Sequence, residues 1–144
     1  RAHGCTATVL YTEDNFAEQC QELTDDEGVD VVYDSVGKET FLDSLRCLKP
    51  TGTMVAFGQS SGLPEPIDIG ILAKHGSLYL TRPSLFTYIA DRTNMSEMAD
   101  EVFSMLDSGV LSAEVHQTYA LKDAAEAHAD LEARHTTGSS ILIP

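Results

Sequence analysis

Two short apolar runs constrain this chain more than any other feature. They are Val29-Asp30-Val31-Val32-Tyr33-Asp34 and Thr53-Met54-Val55-Ala56-Phe57, and a helical pattern with apolar Phe41, Leu42, Leu45 and Leu48 lies between them. Short runs dense in Val and bounded by turn residues are typical of strands covered on both faces, which is the habit of parallel sheets. A helix between two such strands gives the strand–helix–strand unit, whose crossover is right-handed. The pattern extends in both directions. Thr6 to Tyr11 reads as a strand rich in Thr and Val, and Thr12 stands where it can cap a helix carrying Glu13 and Asp14 in its first turn and Phe16, Ala17, Cys20 and Leu23 on its apolar face. Ser77 to Thr81 reads as a further strand, closed by Arg82-Pro83. The expected fold class is α/β: the second half of a Rossmann-type doubly wound parallel sheet.

Turn chemistry divides the elements. Arg1-Ala2-His3 followed by Gly4 reads as a helix end with a left-handed cap. Asp25-Asp26-Glu27-Gly28 is a turn, Pro50-Thr51-Gly52 should stop the helix before it, and Pro64 and Pro66 mark a long connection. Asn94 and Glu97 resemble a capping box at the start of a helix whose Met95, Met98, Ala99, Val102, Met105 and Leu106 would face a core. Gly109 ends that helix and is the expected domain crossing. Glu114 to Tyr119, Ala124 to Arg134 and Ser139 to Ile143 read as strand, helix and strand.

Composition excludes several functions. Acidic residues outnumber basic ones by 23 to 9, a net charge of -14, and no basic patch marks a nucleic-acid surface. No apolar run approaches the roughly 20 residues of a membrane helix. The three cysteines, Cys5, Cys20 and Cys47, form no C-x-x-C pair, and no two of the five histidines have ligand spacing, so no metal site is expected. Cys20 and Cys47 fall on apolar helix faces and read as packing residues, and a reducing, cytoplasmic setting is the default. His128 shares a face with Ala124 and Leu131 and reads as a half-buried structural histidine.

In a doubly wound sheet, ligands sit beyond the carboxyl ends of the strands. That rule points to Tyr11, to Ser35-Val36-Gly37 and to Gly58-Gln59-Ser60-Ser61-Gly62. No two of the ten glycines are spaced G-x-G, so the phosphate-cradling turn of a dinucleotide site is absent. Gly58-Gln59-Ser60-Ser61-Gly62 also fits G-x-S-x-G, which would make Ser60 a hydrolase nucleophile; Leu63-Pro64-Glu65-Pro66 deprives it of the following helix that such an elbow requires. Asp34 suits two roles, binding a ribose hydroxyl or capping the helix after it.

Four stretches in order resemble the zeta-crystallin-like quinone oxidoreductases, zinc-free members of the medium-chain dehydrogenase/reductase superfamily. They are Gly28 to Gly37, Phe57 to Gly62, Gly76 to Leu85, and Thr137 to Pro144. The resemblance runs over essentially the whole chain. It implies a C-terminal fragment: residues 1–109 from a cofactor-binding Rossmann domain, truncated at its N-terminus, and residues 110–144 from a segment that returns to a GroES-like catalytic domain. By position it places Tyr11 near an adenosine 2′-phosphate, and Ser35, Phe57, Gly58, Gln59 and Ser60 along the pyrophosphate and nicotinamide ribose. Pro83, Ser84 and Leu85 would lie beside the nicotinamide, and Arg134 would reach the cofactor from the returning segment. The implied cofactor is NADPH and the implied substrate a quinone or related small electrophile; no catalytic acid or base is implied in this chain. An isolated chain of this extent is expected to be inactive. A homodimer through the edge strand Ser77–Thr81 is expected, with neither nucleic acid nor membrane as partner. Two other readings stand beside this one: a stand-alone nucleotide-binding or regulatory module, and a serine hydrolase using Ser60.

Overall fold

The computed structural model describes residues 4–144, so the helix end expected at Arg1-Ala2-His3 lies outside the described residues. The described residues form two compact units, the first ending at residue 87 and the second spanning 88–144.

The first unit is a three-stranded parallel sheet in the order β1-β2-β3, with β1 at Val29–Asp34, β2 at Leu48–Ala56 and β3 at Tyr79–Thr81. Helix α1 (Phe16–Leu23) precedes β1, α2 (Phe41–Arg46) connects β1 to β2, and α3 (Gly70–Lys74) lies on the long connection to β3. Alternation from strand to helix thus produced the expected parallel topology. The core gathers between α2 and the sheet: Phe41, Leu45, Leu48, Met54, Ala56 and Leu78 are buried, and Val32, Ile71 and Leu72 pack against them. Leu45 and Met54 are completely buried. Cys47 is buried at the end of α2; burial first, and the neighbouring Cys20 thiol second, push its own thiol up to about 12, so it acts as a packing residue.

Several expectations fail for local reasons. Thr6 to Tyr11 forms no strand, because no described strand lies alongside to share its hydrogen bonds. Asn15, not Thr12, caps α1: its side-chain oxygen accepts from the N–H groups of Ala17 and Glu18, leaving Glu13 and Asp14 in the preceding turn. Strand β1 is not covered on both faces, since Val31 and Tyr33 are exposed. Helix α2 stops at Arg46, and Leu48 already belongs to β2; Pro50-Thr51-Gly52 lies within β2, where the register jumps between the Val29–Leu48 and Val31–Thr53 pairs. Thr51 there adopts a left-handed φ of 63°.

The second unit contains α5 (Arg92–Asp107), β4 (Val115–Ala120), a 3₁₀ turn at Leu121–Asp123, α6 (Ala124–Glu132) and β5 (Ser139–Ile143). The short α4 (Leu85–Tyr88) ends where this unit begins. Strands β4 and β5 pair in parallel. Asp91 caps α5 by accepting from Thr93 and Asn94 N–H, so the Asn94–Glu97 pair lies inside the helix rather than at its start. Gly109 takes a left-handed φ of 74° just past α5, the expected terminator. The methionine stripe of α5 faces no core: none of its residues is buried, and Met95, Met98 and Val102 are exposed. His128 is likewise exposed. No helix among the described residues is long and apolar enough to cross a membrane.

Candidate functional site

Register builds the site. Asp34 pairs with Ala56, and Val55 with Thr81, so the three parallel strands end almost level. The residues just beyond each strand therefore meet at one edge of the sheet: Ser35 after β1, Phe57 and Gly58 after β2, Arg82 after β3.

Asp34 organises the first of these loops from inside. Its carboxylate is buried, one oxygen accepting from the N–H groups of Val36 (2.8 Å) and Gly37 (2.9 Å), the other from the hydroxyls of Thr40 and Ser44 (both 2.8 Å). Burial alone would raise its pKa, yet these hydrogen bonds together outweigh burial and hold it below the ordinary carboxylate value. Both oxygens are committed, which settles its role as the organiser of a turn and leaves no lone pair aimed at a ribose.

Backbone bonds then zip the first loop to the second. The Asp34 carbonyl accepts from Phe57 and Gly58 N–H, the Ser35 carbonyl from Ser60 N–H at 3.2 Å, and the Val36 carbonyl from both the N–H and the hydroxyl of Ser61. Lys38 N–H donates back to the Gly62 carbonyl at 3.0 Å. The approach is so close that a Cβ on Gly58 would stand 2.3 Å from the Ser35 carbonyl oxygen, which only glycine avoids. From the third strand, Arg82 reaches over. One terminal nitrogen donates to the carbonyls of Ala56 (2.6 Å) and Gly58 (3.4 Å), the other to the Gln59 side-chain oxygen (2.9 Å). The result is a rigid polar rim of loops from three strands.

This rim unites most of the residues singled out from the sequence. Ser35, Phe57, Gly58, Gln59 and Ser60 lie on the zipped loops, and Pro83, Ser84 and Leu85 come directly after Arg82. Ser35 and Tyr11 also line a trough of about 860 Å³ between residues 5–11, α1 and the open edge of β1. Arg134 belongs to the other compact unit, where it closes α6 in a left-handed conformation at φ 59°. Sequence reasoning missed Arg82 as a clamp and Ser61 as an anchor. The available signal for Arg82 was a rare basic residue directly after a strand in a strongly acidic chain.

Chemically, the rim offers donors. The Ser35, Ser60 and Ser84 hydroxyls and the Gln59 amide nitrogen make no hydrogen bond to another described residue, and the one carboxylate at its heart is satisfied. The hydrolase reading fails here. Ser60 sits on an irregular loop, and the next helix begins only at Gly70, so the strand–turn–helix context of a nucleophile elbow is missing.

The sequence pattern of a family described as zinc-binding dehydrogenase matches residues 3–142. The chain belongs to that family. A quinone oxidoreductase of Pseudomonas aeruginosa is 45% identical over 144 residues, covering 100% of this chain and 44% of that protein. The 2-haloacrylate reductase of a Burkholderia species is 42% identical over 148 residues, again covering 100% of this chain and 44% of the relative. The crystal structure of Escherichia coli quinone oxidoreductase complexed with NADPH superposes with a TM-score of 0.88 at 48% identity, over 94% of this chain and 42% of that one. The chain thus spans less than half the length of these relatives.

The family takes its description from zinc, an ion that needs three or four clustered protein ligands. Among the described residues no group of three His, Cys, Asp or Glu side chains could hold a metal ion. The described residues therefore supply no zinc site of their own. The donor-rich rim does fit an organic ligand bristling with acceptor oxygens, as a nicotinamide dinucleotide does.

Proposed function

We propose that this chain is a C-terminal part of an NADPH-dependent oxidoreductase that reduces a quinone or a related small electrophile, and that it carries the second half of the cofactor-binding sheet. The observation that carries the reading is the donor-lined rim at the carboxyl ends of three parallel strands, the place where such sheets bind dinucleotides. The names of the relatives support the substrate class: quinones and 2-haloacrylates both present a carbon–carbon double bond conjugated to a carbonyl.

Bound NADPH would supply the hydride. The Ser35 and Ser60 hydroxyls and the Gln59 amide would hold the pyrophosphate and nicotinamide ribose, and Pro83, Ser84 and Leu85 would border the nicotinamide. Tyr11 would meet the adenosine 2′-phosphate, and Arg134 would be a further contact of the cofactor. Residues 1–109 would then serve the cofactor domain and residues 110–144 a catalytic domain. Among the described residues the outer edge of β3 carries no partner strand, and Tyr79 there is exposed, which supports a homodimer through that edge. A cytoplasmic setting accords with three free cysteines.

The test is NADPH oxidation with a simple benzoquinone, monitored by absorbance. A protein carrying this chain at its relatives' full length should turn over, and the 144 residues alone should not. Without the G-x-G turn, the chain alone should bind NADPH no better than roughly millimolar. No turnover by the longer protein would overturn the proposal; micromolar binding by the chain alone would show that the residues present suffice without the G-x-G turn.

A further inference from the structure

We infer that Arg82 is a positioning residue that fixes the Gln59 side chain as a hydrogen-bond donor to an oxygen of the cofactor or of the electron acceptor, an inference that rests on the function proposed above. A guanidinium has only N–H donors, so the group it faces must accept. Arg82 donates to Gln59 Oε1 at 2.9 Å, which engages the oxygen end of the amide and leaves its –NH2 outside the clamp. The other terminal nitrogen is anchored on the Ala56 and Gly58 carbonyls, so the guanidinium itself is held in place. The amide nitrogen has no partner among the described residues, and Gln59 is exposed. An unclamped glutamine amide presents its oxygen or its nitrogen with nearly equal ease; this one is set to present nitrogen only. It therefore favours ligands with an acceptor oxygen at that point: a ribose hydroxyl or carboxamide oxygen of the cofactor, or the carbonyl oxygen of a quinone.

The charge environment is consistent with this role. Asp34 nearby is fully hydrogen-bonded to its own loop, and Lys38 pairs with Glu65 at 3.3 Å. Among these groups, Arg82 is the one that connects the ends of β2 and β3 to a side chain on the rim. Its part is indirect: it sets which end of Gln59 meets the ligand.

The experiment is a double-mutant cycle in the full-length protein, with Gln59→Leu, Arg82→Met and the double variant, and Gln59→Glu as a shape-preserving control that removes the donor. Gln59→Leu and Gln59→Glu should each lower kcat/KM by roughly 10- to 100-fold, the usual cost of a lost oriented donor. Arg82→Met should cost about as much alone, but within roughly threefold of nothing once Gln59 is already Leu, because coupled residues are not additive. Arg82→Lys keeps a cation without the fork and should recover only part of the loss. Calorimetry with NADPH alone gives a readout apart from turnover. Weaker binding in Gln59→Leu assigns the oxygen to the cofactor; unchanged binding with a raised quinone KM assigns it to the acceptor. Arg82→Met losses of the same size in both backgrounds would overturn the inference, as would a Gln59→Leu variant that binds and turns over like the wild type while the wild type is active. A wild type that binds no NADPH would sink the proposed function instead, and the inference with it.

Discussion

The two compact units use the same materials and reach different ends. Each has parallel strands, and each has one amphipathic helix capped by an Asn or Asp side chain. The first unit buries Phe41, Leu45, Leu48, Met54 and Leu78. The second has no buried residue at all, and Ile141, Leu142 and Ile143 of β5 stay exposed, as do Val102 and Phe103 of α5. The difference lies in layering. In the first unit α2 lies directly on the sheet, and the chain from Ile67 to Leu72 adds to the same core. In the second, two strands and their helices cover little of one another. An apolar stripe sets the face a helix will bury, but burial needs something opposite it.

Hydrogen exchange gives the widest separation. Amides of β2 at Met54 and Val55 should exchange on the order of a thousandfold slower than the free chain, because only opening of the whole unit releases them. Amides along α5 and β5 should stay within roughly tenfold of free-chain rates. Equal protection in both units would break the contrast.

Truncations should divide along the same line. Leu45 is completely buried, so Leu45→Ala should cost about 2–5 kcal/mol. Phe103 is 63% exposed, and Phe103→Ala should change stability by less than about 0.5 kcal/mol. Denaturant unfolding of the two variants checks both, and a large loss from Phe103→Ala would reveal a covering surface in solution.

This contrast also explains what could be read from the sequence. Strands β1, β3, β4 and β5 fell within a residue or two of their expected spans, because short segments of apolar, aromatic and β-branched residues between turn residues specify strands locally. The loops after Asp34 and Ala56 were placed correctly because the rule about strand ends depends only on topology. The misses were matters of partnership. Thr6 to Tyr11 has a strand's composition and lacks a neighbour; the α5 methionines have a core's composition and lack a lid. The helix caps slipped by three residues, from Thr12 to Asn15 and from Asn94 to Asp91, because each region holds several residues able to cap. Arg82 was invisible as a clamp because its partners, Ala56, Gly58 and Gln59, come from another strand and its loop.

Acid should act on the first unit through Asp34. Its pKa is lowered in the folded state from an ordinary 3.8, so its contribution to stability is fully present above that value and is lost as pH falls below it through the folded pKa. Asp34→Asn keeps an oxygen for the Val36 and Gly37 N–H groups and removes the titration. The melting temperature of the wild type should therefore fall more steeply below pH 3.8 than that of Asp34→Asn. Parallel curves would mean that the turn does not depend on the charge.

The smallest effect is spectroscopic and belongs to the second unit. The Tyr119 hydroxyl on β4 donates to Asp130 of α6 at 2.9 Å, and that hydrogen bond is the main reason its pKa lies above the ordinary 10.0. The bond exists only while strand and helix hold their places, so the phenol reports on whether this core-poor unit keeps its fold. In the folded chain, a residue-assigned NMR titration should place Tyr119 above 10.0, and Asp130→Asn should bring it down toward that value. A wild-type Tyr119 that already titrates at 10.0 would mean that β4 and α6 separate in solution. The unit would then need a covering partner even for its secondary structure, and the contrast with the first unit would become one between a folded and an unfolded region. A raised value abolished by Asp130→Asn would set the milder limit, in which local hydrogen bonds and the β4–β5 ladder keep the unit in shape before anything covers its apolar face.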